Sequence, residues 1–208
     1  MRPTPLEPER DRVESTTGGD PRSRDLSCYR VAFLVSDGFE RSELHEPLEA
    51  VKEAGAQAVV LTPDGDAVRS WDDGDWGDTI DADGALADAH PEHFDAVVLP
   101  GGVINPDQLR IDEHAVAFVR SIAALGRPIA AICHGPWTLI DAEVVEGRRM
   151  TSWPSLKSDL RNAGATWVDE DVVVDGGLVT SRKPSDLPAF CDALLQQLGS
   201  TTAAAEAK

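Results

Sequence analysis

Cys133 and His134 are adjacent in the chain. They follow a short apolar run, Ile129-Ala130-Ala131-Ile132, and precede Gly135-Pro136. A strand that delivers a cysteine to a sharp turn, with a helix starting at once behind it, has the geometry of a nucleophile elbow. The side chain is lifted above the carboxyl edge of a sheet. The first turn of the next helix would aim amide dipoles at the sulfur and favour thiolate over thiol, and the imidazole can carry the proton. That pairing suits nucleophilic attack on a carbonyl. The plainer alternative is a small, buried, inert cysteine, and position alone leaves the two open. Cys28 and Cys191 lie at wide spacings with no C-x-x-C pair, so neither a disulfide framework nor a zinc ribbon is indicated. His90 and His93 flank Pro91-Glu92 without a further ligand nearby, which reads as a loop before a strand and not as a metal pair. His45 and His114 read as solvent-facing helix residues. Neither G-x-G-x-x-G nor a P-loop Lys-Ser/Thr ending accompanies Pro100-Gly101-Gly102. No metal and no cofactor are expected.

The elements that must position Cys133 follow from periodicity. Arg30 to Val35, Ala58 to Leu61, Asp95 to Leu99 and Pro128 to Ile132 are apolar runs of strand length. Helical spacing occupies Glu43 to Ala54, stopping at Gly55, and Ala115 to Leu125, closed by Gly126. Strands buried on both faces and separated by helices predict a mostly parallel sheet in an α/β fold. The Asp- and Gly-rich stretch between the second and third strands, with Trp71 and Trp76, predicts a hairpin excursion. Further helices are expected at Trp137 to Ala142 and Ser155 to Ala163. Val172 to Val174 and Leu178 to Thr180 flank Asp175-Gly176-Gly177 as a hairpin. A last helix from about Asp186 to Leu198 carries the stripe Leu187, Phe190, Leu194, Leu195 and Leu198. Residues 1–27, rich in Pro, Gly, Ser, Thr and charge, predict a flexible extension; 28–199 form one domain, and 200–208 a frayed tail.

The 208 residues carry 37 acidic and 19 basic side chains, a net charge of −18. A surface this negative repels phosphates, which argues against nucleic-acid and anionic-membrane partners. Abundant Asp beside only Lys52, Lys157, Lys183 and Lys208 suits either a high-salt cytoplasm or an aggregation-resistant surface, and the composition leaves both open. No apolar run approaches the ~20 residues of a membrane helix, and no leader pattern is visible, so a cytoplasmic location is expected.

Five blocks in order tie the chain to a known group: D-G-F-E-R-S-E-L at Asp37 to Leu44, V-V-L-P-G-G at Val97 to Gly102, N-P-D-Q-L-R at Asn105 to Arg110, A-I-C-H-G-P at Ala131 to Pro136, and V-V-D-G-G-L-V-T-S-R-K-P-S-D-L at Val173 to Leu187. The chain resembles the ThiJ/PfpI superfamily, in its PfpI-like intracellular protease and general stress protein branch of the class I glutamine-amidotransferase-like fold. The resemblance implies a flavodoxin-like three-layer sandwich with Cys133 as nucleophile and His134 as its partner. It also implies that Asp107 reaches His134 of a neighbouring subunit, which requires a homo-oligomer, a dimer or a hexamer. Without the resemblance, Asp107 reads as an N-terminal helix carboxylate. By itself Glu43 reads as a surface charge on an amphipathic helix; the resemblance implies that Glu43, four residues before Pro47, takes the position beside the sulfur, where a carboxyl should be protonated so as to donate a hydrogen bond. Glu40 matches a second acidic position of weaker role. Gly101 and Gly102 let the backbone approach the sulfur, so the amides of Gly102 and His134 could hold an oxyanion; an ordinary strand-ending turn is the alternative. Trp153, Arg182 and Pro184 lie in segments that border the pocket in relatives, with Arg182 expected to pair with a carboxylate near the site.

Relatives in this branch are peptidases, cofactor-free glyoxalases and deglycases that repair glycated proteins. The expected substrates are therefore a small carbonyl compound, a peptide or a glycated protein. The alternatives are a redox-responsive stress protein whose cysteine is oxidised to sulfenic or sulfinic acid, and a chaperone in which the thiol is incidental. A glutaminase is disfavoured, because Ser181 to Leu187 has no P-x-H-x-E pattern.

Overall fold

A computed structural model describes residues 26–205, with side chains to Ser200. The central strands are β1 (Arg30–Leu34), β3 (Gln57–Thr62), β7 (Ala96–Leu99) and β8 (Ile129–Ile132), with β6 (Gly84–Ala85) at one edge and the hairpin β11 (Val172–Asp175) and β12 (Leu178–Ser181) at the other. They form a seven-stranded sheet in the order β11-β12-β8-β7-β1-β3-β6, parallel throughout except for the β11–β12 pair. Strand order reverses beside β1, whose neighbours are β3 on one side and β7 on the other. Such a switch point opens a crevice at the carboxyl ends of the strands.

Alternation along the strands assigns each residue to a layer. Val31, Phe33, Val98, Ala130 and Ile132 face the helices α1 (Arg41–Glu53) and α6 (Leu187–Ala205). Ala32, Leu34, Val97, Leu99 and Ala131 face α3 (Glu113–Ala124), α4 (Pro136–Asp141) and α5 (Lys157–Asn162). This is the expected three-layer flavodoxin-like sandwich. In α3, Asp112 caps the first turn by accepting from the Ala115 amide at 2.8 Å, and Ala115, Phe118, Val119 and Ile122 make its buried stripe. The excursion is a hairpin of β4 (Val68–Asp72) and β5 (Asp75–Ile80), with Trp71 opposite Trp76, ring edge to ring face at 5.5 Å. Its strand β4 also pairs with β2 (Phe39–Glu40) just before α1. Two further strands, β9 (Arg149–Met150) and β10 (Thr166–Trp167), pair apart from the main sheet.

Two boundaries differ from expectation. Leu26, assigned by sequence to the extension, is buried in the core, and its amide donates to the Ala54 carbonyl at 3.0 Å. Composition averages over the segment and misses one apolar anchor. At the other end α6 continues past Leu198 to Ala205, so residues 200–205 are helical, because Ala203, Ala204 and Ala205 are strong helix formers. The expected extension up to Asp25, and the last residues of the expected tail, 206–208, lie outside the described residues.

Candidate active site

The site is assembled at the carboxyl ends of β7 and β8. Cys133 follows β8 with φ +60°, a left-handed backbone that costs a non-glycine residue about 1–2 kcal/mol. Three hydrogen bonds hold it there. The Cys133 amide donates to the Ser181 carbonyl at 3.1 Å, its carbonyl accepts from the Trp153 amide at 2.9 Å, and the Gly135 amide donates to the Ile132 carbonyl at 2.8 Å. The elbow is thus fixed from β12, from the loop after β9 and from the start of α4. A strained backbone so over-determined is typical of a functional position.

Cys133 is 7% exposed. Burial pushes its pKa up, an ionised Glu43 would push it further, and the nearby backbone amides of Gly102 and His134 pull it down. The net direction is upward. This corrects the sequence reading of a helix end that favours thiolate. The following helix, α4, is only six residues long, and loss of hydration outweighs the amide dipoles.

Glu43 is the carboxyl beside the sulfur. It lies on the apolar stripe of α1 with Leu44, Pro47, Leu48 and Val51, and is completely buried. Pro47 has no N–H to return to the Glu43 carbonyl, so the helix lacks one rung there. Glu43 Oε2 accepts from the Gly101 amide at 2.9 Å, while Oε1 has no hydrogen-bond partner among the described residues. Burial, together with the nearby charge of Glu40, raises the Glu43 pKa to about 8. At neutral pH Glu43 is mostly protonated, so its repulsion of a thiolate is largely absent. Glu40 itself is half-buried, raised by burial, and receives the Ser42 hydroxyl at 3.4 Å.

The Pro-Gly-Gly turn is shaped for this packing. A Cβ on Gly101 would collide with Glu43 Oε2 and come within 2.6 Å of Cys133 Cβ, so only glycine lets carboxyl and cysteine meet there. Gly102 adopts φ +79°. Asn105, on α2 (Ile104–Leu109), ties the turn down. Its Nδ2 donates to the carbonyls of Pro100 at 3.0 Å and Gly101 at 3.1 Å, and its Oδ1 accepts from the Ser36 amide at 2.7 Å.

His134 presents Nδ1 to Cys133 Sγ at 3.2 Å. Trp137 meets its ring edge to face at 5.2 Å, and Trp153 stacks on it at 5.9 Å and 25°. Burial lowers its pKa and keeps the imidazole neutral at neutral pH. Its Nε2 lies 3.3 Å from Ser155 Oγ.

The structure therefore brings together Cys133, His134, Glu43, Gly101, Gly102 and Trp153, with Glu40 at the margin. It does not bring Asp107, Arg182 or Pro184 to the sulfur. Asp107 is exposed on α2. Arg182 engages Asp186 at 2.9 Å, Asp169 at 2.6 Å and Asp171, tying the loop before β11 to the start of α6, and it pairs with neither Glu40 nor Glu43. Pro184 is exposed and opens a short turn ahead of α6. Sequence reasoning missed Ser155, Trp137 and Asn105 as parts of the site. Asn105 stood inside a recognisable block, but its role depends on a fold-back that spacing does not show. No cluster of three or more His, Cys, Asp or Glu residues able to hold a metal occurs among the described residues.

Residues 29–197 match the DJ-1/PfpI family. The chain belongs to that family. A deglycase of Pyrococcus abyssi is 44% identical over 161 residues, covering 77% of this chain and 94% of the relative. General stress protein 18 of Bacillus subtilis is 41% identical over 162 residues, 77% of this chain and 92% of the relative. Among solved structures, a two-domain protein of Anabaena variabilis with DJ-1/ThiJ/PfpI-like and ferritin-like domains superposes with TM-score 0.77 at 38% identity. The match covers 82% of this chain and 48% of that one. Membership in the DJ-1/PfpI family agrees with the five sequence blocks and with the sandwich described above.

Proposed function

We propose that this DJ-1/PfpI chain is a stress-response hydrolase that uses Cys133 against carbonyl or amide groups, with deglycase-type chemistry foremost. The observation that carries the reading is the sulfur flanked on one side by a neutral imidazole at 3.2 Å and on the other by a buried carboxyl with a pKa of about 8. As the sulfur attacks a carbonyl carbon, the S–C bond forms and the thiol proton passes to His134 Nδ1. The carbonyl oxygen takes up negative charge, met by the amides of Gly102 and His134 and by the proton on Glu43. With methylglyoxal the adduct is a thiohemiacetal. A proton shift between the two carbons makes a thioester, and water releases lactate and the free thiol. A cysteine only 7% exposed favours a small carbonyl compound, or an adduct on a mobile side chain or peptide, over the body of a folded protein. The relatives named deglycase and general stress protein support the same direction.

The working unit is proposed to be a homo-oligomer, a dimer or hexamer of 28–199 domains. Val103, Ile104 and Ile111 are exposed apolar side chains around Asp107, and Ile111 is 81% exposed. A second copy seated on that patch would cover it and carry Asp107 toward the neighbouring His134. The cytoplasm is the proposed location; no described helix is long and apolar enough to cross a membrane.

A redox-responsive role is the second reading. One specific observation favours it: a protonated Glu43 and two amides around the sulfur would also stabilise a sulfinate. Methylglyoxal consumption with lactate release, in wild type and Cys133→Ser, tests the first reading. Turnover lost in the serine variant supports carbonyl chemistry at Cys133. No turnover in wild type, with one or two oxygens gained under mild peroxide only when Cys133 is present, would replace it with the redox reading.

A further inference from the structure

Glu40 stands at the margin of the site and Glu43 inside it. Glu40 is the last residue before α1 and precedes Glu43 by three positions, a spacing that puts two side chains on one face of a helix. Its amide donates to the Gly101 carbonyl at 3.3 Å, and a Cβ on Gly102 would come within 2.9 Å of the same nitrogen. Glu40 is thereby fastened to the turn that approaches Cys133. The Ser42 hydroxyl, 3.4 Å from its carboxyl, favours the carboxylate form, and Asp72 and Asp73 at the turn of the β4–β5 hairpin are near enough for their charge to act on it. Glu43, completely buried, leaves Oε1 without a hydrogen-bond partner among the described residues. Among those residues no Lys or Arg forms an ion pair with Glu40 or Glu43. Arg41 turns to Asp78 at 3.0 Å and Asp72 at 3.8 Å, Arg110 to Asp141 at 2.9 Å, and Arg182 to Asp186 at 2.9 Å. A carboxylate brought to the sulfur would meet Glu40, while these guanidinium groups are already taken. The Asp107 carboxylate proposed to arrive from a neighbouring copy adds negative charge and no cation.

We infer that Glu40 is a specificity-determining residue of this site: its carboxylate admits uncharged carbonyl compounds to Cys133 and turns away those that carry a carboxylate of their own. The inference rests on Cys133 being the nucleophile proposed above. Its physical basis is repulsion between like charges at the edge of a water-poor site, where screening is weaker than on the open surface. Rejection by an unfavourable charge is a stronger discriminator than the loss of a favourable contact, because the second anion brings no compensating partner with it.

Alkylation at a fixed neutral pH tests this without any substrate. Iodoacetamide is uncharged and iodoacetate is an anion of similar size, and both need the same thiolate, so their rate ratio does not depend on the thiol pKa. The exposed Cys28 reports the field of the whole acidic molecule and serves as the internal reference. Cys133 in wild type is expected to prefer iodoacetamide by about tenfold or more beyond the preference at Cys28. Glu40→Gln keeps the shape without the charge and should cut that excess about tenfold, and Glu40→Lys should turn Cys133 toward iodoacetate. Burial alone would reject iodoacetate equally in all three proteins. With substrates, kcat/KM for 4,5-dioxopentanoate, a 2-oxoaldehyde bearing a carboxylate, relative to methylglyoxal should rise about tenfold in Glu40→Gln. A wild-type ratio at Cys133 equal to that at Cys28 would overturn the inference, as would an excess that Glu40→Gln leaves unchanged. The two proposals can fail separately. Wild type inert toward methylglyoxal, yet with a Glu40-dependent alkylation preference, sinks the proposed activity alone. Equal turnover of the two 2-oxoaldehydes, with no alkylation preference, sinks only the role of Glu40.

Discussion

At the scale of the residue, Glu43 governs how the site responds to pH. Its carboxyl titrates near 4.5 in an unfolded chain and at about 8 in the folded one, so between those values the folded state binds more protons. Folding stability from this group is complete below about 4.5 and is lost as pH rises through about 8. His134 works in the opposite sense. Burial lowers its folded pKa, so acidification below about 6.5 protonates the unfolded chain first and costs stability. Glu43→Gln keeps the shape and stays neutral. It is expected to remove the fall on the alkaline side, so that its urea midpoint exceeds that of wild type at pH 8.5 and approaches it near pH 5. Parallel profiles in the two proteins would show that Glu43 is not a neutral buried acid. The same variant retains an N–H donor near the sulfur but has no proton to give, and turnover should fall about tenfold or more.

At the scale of the element, the turn between β7 and α2 decides whether the amides reach the sulfur. Asn105 is completely buried and anchors that turn to the loop after β1 through Ser36. Asn105→Ala leaves the Pro100 carbonyl and the Ser36 amide without the Asn105 side chain, while the Gly101 carbonyl keeps the Glu40 amide at 3.3 Å, and a loss of about 2–3 kcal/mol is expected, read as a lower urea midpoint at unchanged slope. Thiol reactivity should fall with it, because the Gly102 amide is carried by the same turn. A variant as stable as wild type would mean the turn holds its shape unaided. The principal strands and helices could be placed from periodicity because each of β1, β7 and β8 is apolar on both faces, and because Gly126 closes α3. The ends were less legible. A single leucine at position 26 and an alanine-rich end to α6 carry too little pattern to separate chain from tail.

At the scale of the whole molecule, the apolar patch of Val103, Ile104 and Ile111 surrounds an aspartate that touches nothing at the site of its own chain. If copies pair there, light scattering after gel filtration will give a dimer or larger at micromolar concentration. Ile111→Lys will then shift the mass toward monomer by burying a charge at the contact. Asp107→Ala is expected to keep the fold and lower turnover about tenfold or more, because the neighbouring His134 loses its orienting carboxylate. Only monomer in the wild-type chain, or full turnover in Asp107→Ala, would remove the shared site. The charge of −18 bears on the same measurement: association of like-charged copies weakens at low ionic strength and should strengthen as salt is added.

The sequence by itself determined the alternating strands and helices, the mostly parallel sheet and the Cys-His pair at a strand end, since these depend on local signals: strand-length apolar runs, helical spacing, and glycines where the chain turns. The three-layer sandwich, the nucleophile role of Cys133 and the place of Glu43 beside the sulfur came through resemblance. Only the tertiary structure decided the protonation state of the pair and the company of His134. Whether a thiol is lowered by helix dipoles or raised by dehydration depends on how deeply the surrounding layers bury it. That Ser155, Trp137 and Trp153 enclose the imidazole depends on a loop after β9 folding back over β8. Neither quantity has a period or a spacing along the chain. Both arise from distances between segments that the sequence keeps far apart.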